Sequence, residues 1–105
     1  MDEDFLFQVQ TPLNFQVHCT KEYWNFIIEN KHPALKGREG KIIETLSDPV
    51  EIRKSQKDDE VFLFYSQDDT RWVCAVTKQE SDSEGFLITA YPTDAIKIGE
   101  IVWKK

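Results

Sequence analysis

The spacing of hydrophobic residues changes once along this chain, near Pro49, and this change constrains the fold more than any other feature. Between Thr20 and Pro49, apolar residues recur at helical spacing in two segments, whereas after Pro49 they alternate or form short runs typical of strands. Short polar turns separate the later strands, which favours antiparallel neighbours. The pattern predicts an α+β fold with helices packed on one face of an antiparallel sheet.

The individual elements follow from local signals. Thr20 is a suitable N-cap for a first helix, and Pro33 disfavours helical geometry in the residue before it, so this helix should end near His32. A second short helix carries Ile42 and Leu46. These two helices should pack on a sheet of about four to five strands, preceded by a β-hairpin. The predicted strands span residues 4–10, 15–19, 50–55, 61–65, 71–77 and 86–91, with a last strand or extended tail at 101–103.

Length and composition indicate one folded domain. The chain has 105 residues, of which 40% are hydrophobic and 30% charged, a balance that excludes global disorder. We treat residues 1–19 as a hairpin extension of a main domain at 20–105. No apolar run approaches the ~20 residues that cross a bilayer, and the acidic start differs from a secretory signal. We therefore expect a soluble, cytoplasmic protein without a membrane partner.

The cysteines and histidines give no pattern of metal ligands. Cys19 and Cys74 are far apart, and Cys74 sits in an apolar run, so both are interpreted as small apolar residues. A zinc site needs about four well-spaced ligands, whereas the chain has no CxxC motif and only two histidines. We expect neither a metal nor another cofactor.

Charge is distributed unevenly over the chain, whose formal net charge is −6. Residues 1–30 hold one basic and five acidic side chains, and residues 58–105 hold five basic and ten acidic ones. Residues 31–57 hold seven basic and four acidic side chains, a balance of +3. A protein with a negative net charge does not bind nucleic acid strongly in a sequence-independent way. The middle segment predicts either a local positive patch or an ordinary solvated surface.

His32 is the first candidate for chemistry. It lies at the predicted helix end, between Lys31 and Pro33. Histidine titrates near neutral pH, and neighbouring cationic side chains lower its pKa, which favours the neutral form that a general base requires. The alternative is an exposed helix-terminal histidine without catalytic function. His18 is a weaker candidate because it lies on the polar side of a predicted strand.

Two further clusters carry groups that bind phosphate. Arg53 and Ser55 share one face of a strand with Lys54 on the other, and a guanidinium matches two phosphate oxygens. Thr89 and Tyr91 also share a strand face, where their hydroxyls could orient a phosphate. Tyr65, at the end of another strand, could add a third hydroxyl. The alternatives are a charged edge strand and residues that simply favour strands.

Taken together, several segments resemble a family. Lys31-His32-Pro33, Leu46-Ser47-Asp48-Pro49, Ile52-Arg53-Lys54-Ser55 and Ile88-Thr89-Ala90-Tyr91, in this order, are similar to a phage- and bacteria-associated nuclease-like family. That family belongs to the barnase–EndoU–colicin–RelE superfamily. The resemblance covers about residues 20–104. It implies two helices followed by an antiparallel sheet of about four strands, and metal-independent RNA cleavage of a kind often found in toxins.

The resemblance also implies roles for the candidate residues. The ribose 2′-hydroxyl would attack the adjacent phosphorus with His32 as the proton-transfer group. Arg53 would stabilise the developing charge, and Thr89 and Tyr91 would position the phosphate. The residues expected at the substrate are Lys31, Lys54, Ser55 and Tyr65. RNA would be the substrate, and a toxin-type protein would have an antitoxin or another protein partner.

Two alternative functions remain open from the sequence. The first is a binding module on the same fold, which holds RNA or a protein without cleavage, with aromatic residues such as Phe5, Phe7 and Trp103 exposed at an interface. The second is an interaction domain without a nucleic-acid role, which the acidic charge balance allows.

Overall fold

The hairpin predicted at the start of the chain forms and becomes one edge of a larger sheet. The computed structural model describes residues 4–97 and 99–105. Strand β1 (Phe5–Gln10) pairs antiparallel with β2 (Gln16–Thr20), as predicted. The turn between them includes Asn14, which has a positive φ of 67°. Asparagine tolerates this left-handed conformation better than most residues.

Helices α1 (Lys21–Asn30) and α2 (Glu39–Ser47) follow, as predicted from their capping and spacing. The Thr20 hydroxyl accepts a hydrogen bond of 3.1 Å from the Tyr23 amide, which makes Thr20 the N-cap of α1. A 3₁₀ helix, Pro33–Leu35, connects the two helices and was not expected from the sequence. Its Leu35 is buried, which fixes the segment that carries His32.

Most of the remaining strands are longer than predicted because polar residues extend the ladders, whereas the strand predicted at residues 50–55 is shorter and spans Glu51–Lys54. The predicted turn at residues 67–70 shrinks to Asp69 and Thr70, with Asp69 at a positive φ of 58°. The segment at 101–103, for which the sequence allows a strand or an extended tail, is a strand. The bounds are β3 (Glu51–Lys54), β4 (Val61–Asp68), β5 (Arg71–Gln79), β6 (Glu84–Thr93) and β7 (Glu100–Lys104).

The sheet has seven strands in the order β1-β2-β6-β5-β4-β3-β7. The α+β class is therefore confirmed, but the expected antiparallel sheet of about four to five strands is wrong. Strand β2 pairs with β6 in parallel over Gln16–His18, so the hairpin joins the main sheet, and β7 adds a strand beside β3. A hairpin next to β6 satisfies backbone groups that would otherwise form an open edge.

One face of the sheet holds the hydrophobic core under the helices. Ile27 of α1 and Ile42 of α2 pack in the same buried cluster as Phe64 of β4 and Ala75 of β5. Both cysteines are buried and free, in agreement with their interpretation as small apolar residues. None of the helices among the described residues is long and apolar enough to cross a membrane.

Candidate functional site

Three neighbouring strands align two tyrosines and a cysteine on the sheet face opposite the core. Tyr65 of β4 lies directly across from Cys74 of β5, which in turn lies across from Tyr91 of β6. Their neighbours Phe64, Ala75 and Ala90 form the adjacent row and are buried in the core. Because successive side chains of a strand point to opposite faces, Tyr65, Cys74 and Tyr91 share the other face. We call these three residues the tyrosine row.

Burial raises the pKa values of the tyrosine row still further above neutral pH. It raises the pKa of Tyr65 to about 12, a shift to which the adjacent Cys74 adds. It raises the pKa of Cys74 to about 11, although interactions with the hydroxyls of Tyr91 and Tyr65 oppose the shift. Burial and the same thiol raise the pKa of Tyr91 as well. The row therefore offers neutral O–H and S–H groups, and no phenolate or thiolate that could act as a base or nucleophile.

His32 reaches the tyrosine row from the end of α1. Its backbone amide donates to the carbonyl of Ile27 at 2.8 Å, and its carbonyl accepts from the amide of Leu35 at 3.1 Å. These bonds place the half-buried imidazole with its centroid 5.6 Å from that of the Tyr91 ring, at an interplanar angle of 42°. Partial burial and the charge of Lys31 lower the pKa of His32. The imidazole is therefore neutral at pH 7 and able to accept a proton.

The edge of β6 explains why α1 ends near this row. Strand β2 pairs with β6 only as far as Phe86. Beyond that point, the Tyr23 hydroxyl of α1 donates to the carbonyl of Ile88 at 2.6 Å. Helix α1 therefore covers the part of the β6 edge that β2 leaves free, and the residue that follows its C-terminal turn comes to lie beside Tyr91.

The segment between β6 and β7 covers the other end of the row. The backbone amide of Lys97 donates to the Tyr65 hydroxyl at 3.1 Å, and the Lys97 carbonyl accepts from Nη1 of Arg53 at 3.0 Å. The Lys97 ammonium lies 5.0 Å from the centroid of the Tyr91 ring, a cation–π contact. Arg53 Nε also forms a close ion pair with the buried carboxylate of Glu51.

The structure thus brings together several of the residues that the sequence selected. His32 and Tyr91 are in contact, Tyr65 lies in the same row, and Arg53 joins them through the backbone of Lys97. Thr89 lies two residues before Tyr91 on the same strand face, and its Oγ1 is buried without a hydrogen-bond partner among the described residues.

The other selected residues lie apart from this group. Lys54 alternates to the face opposite Arg53 and approaches Glu100 of β7 at 3.8 Å. The Ser55 hydroxyl accepts from the amide of Lys57 in the loop after β3. Lys31 is exposed, with its ammonium 5.6 Å from the ring of Phe26. Lys31 acts on the site through its charge, since it contributes to the lowered pKa of His32.

Lys97, Cys74 and Glu51 carry no signal in the sequence that marks them as site residues. Cys74 and Glu51 fall in line with the tyrosines only once the registers of β3, β4 and β5 are known, and no spacing along the chain reveals these registers. Lys97 lies in an irregular segment without periodicity. Its contacts with Tyr65 and Arg53 depend on the path of that segment across the sheet.

A second surface carries exposed aromatic side chains. A groove of about 280 Å³, which we call the aromatic groove, separates α1 from β2 and β6. On one side of the groove, Phe5 stacks on His18 with ring centroids 4.8 Å apart. On the other side, Phe26 stacks on Tyr23 with ring centroids 5.8 Å apart. Phe5 and Phe26 are 38% and 45% exposed. The lining residues are His18, Cys19, Thr20, Tyr23, Phe86 and Leu87.

The expected set of exposed aromatic residues needs correction. Phe5 is exposed, but Phe7 is buried because it points from β1 into the core. Trp103 is partly buried and packs against the same core from β7. Among the described residues, no group of three or more His, Cys, Asp or Glu side chains is arranged to hold a metal ion.

Comparisons with known proteins do not assign the chain to a family. No protein-family model matches it, and no curated protein or solved structure matches it either.

Proposed function

We propose that this protein is a metal-independent endoribonuclease whose site lies at the junction of α1 and β6. The observation that carries the proposal is the contact between His32 and Tyr91, with centroids 5.6 Å apart, next to the cation of Lys97. A neutral imidazole beside protonated hydroxyls and a positive charge is the combination that phosphodiester cleavage by an internal nucleophile requires. Separately, the sequence resemblance implies the same chemistry.

In the proposed reaction, His32 accepts the proton of the ribose 2′-hydroxyl as its oxygen attacks the adjacent phosphorus. The new 2′-O–P bond replaces the P–O5′ bond, and the departing 5′-oxygen takes a proton from solvent. The hydroxyl of Tyr91, whose pKa burial raises further above its ordinary value, is protonated at neutral pH and donates a hydrogen bond to a phosphate oxygen, with Thr89 beside it. The products are a 2′,3′-cyclic phosphate and a 5′-hydroxyl.

RNA cleavage in excess EDTA tests this proposal. We expect wild-type protein to cleave a mixed RNA pool. His32→Ala should cleave the same pool at least ~100-fold more slowly. Lys57→Ala is the control, because Lys57 is an exposed residue in the loop between β3 and β4 and belongs neither to the lining of the aromatic groove nor to the contact between His32 and Tyr91. Product ends should carry the cyclic phosphate. Equal rates for wild type and His32→Ala would refute the catalytic role of His32.

A binding module without catalysis is the second candidate, and the aromatic groove favours it. Exposed Phe5 and Phe26 border that groove, and the net charge of −6 opposes avid RNA binding. If folded wild-type protein leaves every RNA in the pool intact, this candidate replaces the first. RNA or a protein such as an antitoxin would then be bound intact, and for both candidates we place the partner in the cytoplasm.

A further inference from the structure

The charge of Arg53 is already neutralised within the fold. Its Nε pairs with Glu51, a carboxylate that is only 6% exposed. A buried carboxylate is stable only with its counter-ion in place, so releasing Arg53 to a substrate would leave Glu51 unpaired at high cost. Arg53 also donates from Nη1 to the Lys97 carbonyl. The guanidinium is therefore held by two partners and is not the free cation of the site.

Lys97, in contrast to Arg53, has a fixed backbone but an exposed charged side chain. Its backbone is fixed on both sides, because its amide donates to Tyr65 and its carbonyl accepts from Arg53. Its side chain is exposed, and no acidic partner approaches its ammonium within the described part of the chain. The ring of Tyr91 holds that ammonium at 5.0 Å from its centroid, and His32 lies against the same ring at 5.6 Å.

We infer that the ammonium of Lys97 and the imidazole of His32, both held against Tyr91, form a binding site for a phosphate group, and that Arg53 positions Lys97 rather than contacting the phosphate. This inference rests on the proposed function and names the group that neutralises the phosphate. An ammonium acts as a point charge that binds phosphate from many directions. The cation–π contact limits its motion before the phosphate arrives.

Inorganic phosphate is a suitable probe because its binding requires no cleavage. The protein is titrated with phosphate at fixed pH, with chloride at matched ionic strength as a control for screening, and the His32 ring signals are followed by NMR. We expect a saturable shift in the wild type. Lys97→Gln should weaken phosphate binding at least tenfold, and Lys97→Arg should restore most of it, since a charge-assisted contact is lost and regained.

Lys57→Gln is the matched control, since it removes an exposed lysine from the loop between β3 and β4. It should change phosphate affinity less than twofold. The inference is overturned if phosphate leaves the His32 signals unchanged, or if Lys97→Gln and Lys57→Gln bind phosphate equally well. Lys97 uses only its backbone to hold Tyr65 and Arg53, so the glutamine variant keeps these contacts and should fold normally.

The positioning role of Arg53 has its own readout. The double variant Arg53→Gln, Glu51→Gln removes both charges of the buried pair and leaves the net charge unchanged. It should weaken phosphate binding in the wild-type background but have no further effect when Lys97 is already glutamine. An equal effect in both backgrounds would show that Arg53 contacts phosphate independently and would overturn its assignment as a positioning residue.

These outcomes separate the inference from the proposed function. If phosphate binding depends on Lys97 but wild-type protein cleaves no RNA, the phosphate site stands and the ribonuclease proposal fails. If His32→Ala abolishes cleavage while Lys97→Gln cleaves RNA and binds phosphate like the wild type, the ribonuclease proposal stands and the inference about Lys97 fails.

Discussion

Gly85 offers a direct test of how closely β5 and Phe15 pack against β6. It lies on β6 opposite Val17 of β2 on one side and Gln79 of β5 on the other. A Cβ added at Gly85 would lie 2.6 Å from the carbonyl oxygen of Lys78 and 3.0 Å from Cε2 of Phe15. We therefore expect Gly85→Ala to destabilise the protein.

The loss of stability caused by Gly85→Ala depends on whether the atoms that contact the added Cβ are able to move. The carbonyl of Lys78 belongs to the β5 backbone, and Phe15 is 1% exposed, so neither yields without disturbing the core. Overpacking of this kind costs about 1–3 kcal/mol, and the backbone contact places Gly85→Ala near the upper end. In a domain of this size each kcal/mol lowers Tm by about 4–8 °C. We therefore expect Gly85→Ala to lower Tm by roughly 12–24 °C.

Gly40→Ala is the matched control, because a Cβ there meets nothing within 4 Å and Gly40 lies within α2. Replacing a helical glycine should stabilise the protein by about 0.5–1 kcal/mol. Thermal and urea unfolding followed by circular dichroism measure both variants, and the urea m-value should stay unchanged. If Gly85→Ala melts within about 2 °C of the wild type, β5 and Phe15 do not approach β6 as closely as described.

Two further predictions concern His32 and the contact between α2 and β4. Lys31→Gln removes one of the two causes that lower the pKa of His32, so the NMR titration midpoint of His32 should move to higher pH, and an unmoved midpoint would contradict this. Thr45 and Ser66 share a buried hydrogen bond of 2.6 Å. Thr45→Val should cost about 1–3 kcal/mol in urea unfolding because Ser66 loses its partner, and adding Ser66→Ala should recover part of this loss. A double variant that is less stable than Thr45→Val would refute this assignment.

Elements that depend on local chemistry were predictable from the sequence. The N-cap at Thr20, the end of α1 before Pro33 and the inward position of Ile52 on β3 each depend on residues close in the chain. A capping hydroxyl, a ring that blocks helical geometry and a two-residue period act within a few residues. The structure confirms these three predictions because tertiary packing agrees with them.

The sheet order was not predictable because it depends on distant partners. Gln16 of β2 pairs with Glu84 of β6, so this pair joins strands from opposite ends of the chain. Short polar connections correctly favoured antiparallel pairing among β4, β5 and β6, but they carry no information about which strand covers the far edge of β6. That choice depends on the packing of α1 and Phe15 against the sheet.

The candidate site shows the same division between local and distant information. The sequence resemblance selected His32, Arg53 and Tyr91, and the structure places them around one row of side chains. The sequence resemblance did not reveal that Glu51, two residues before Arg53, neutralises the guanidinium. Alternation puts Glu51 and Arg53 on one face, but which partner a charge takes depends on the depth at which each side chain lies.

Ion pairs also change the interpretation of the basic middle segment, residues 31–57. Its balance of +3 suggested a positive patch, but Arg38 pairs with Asp68, Lys41 with Glu44 and Lys54 with Glu100, in addition to the Arg53–Glu51 pair. Affinity for RNA that comes from phosphate neutralisation scales with the number of free cations. A site that relies on Lys97, with Lys31 nearby, neutralises few phosphates. An active enzyme of this design would therefore have to obtain its affinity from contacts with bases or with a partner protein, and the aromatic groove is the described surface suited to either.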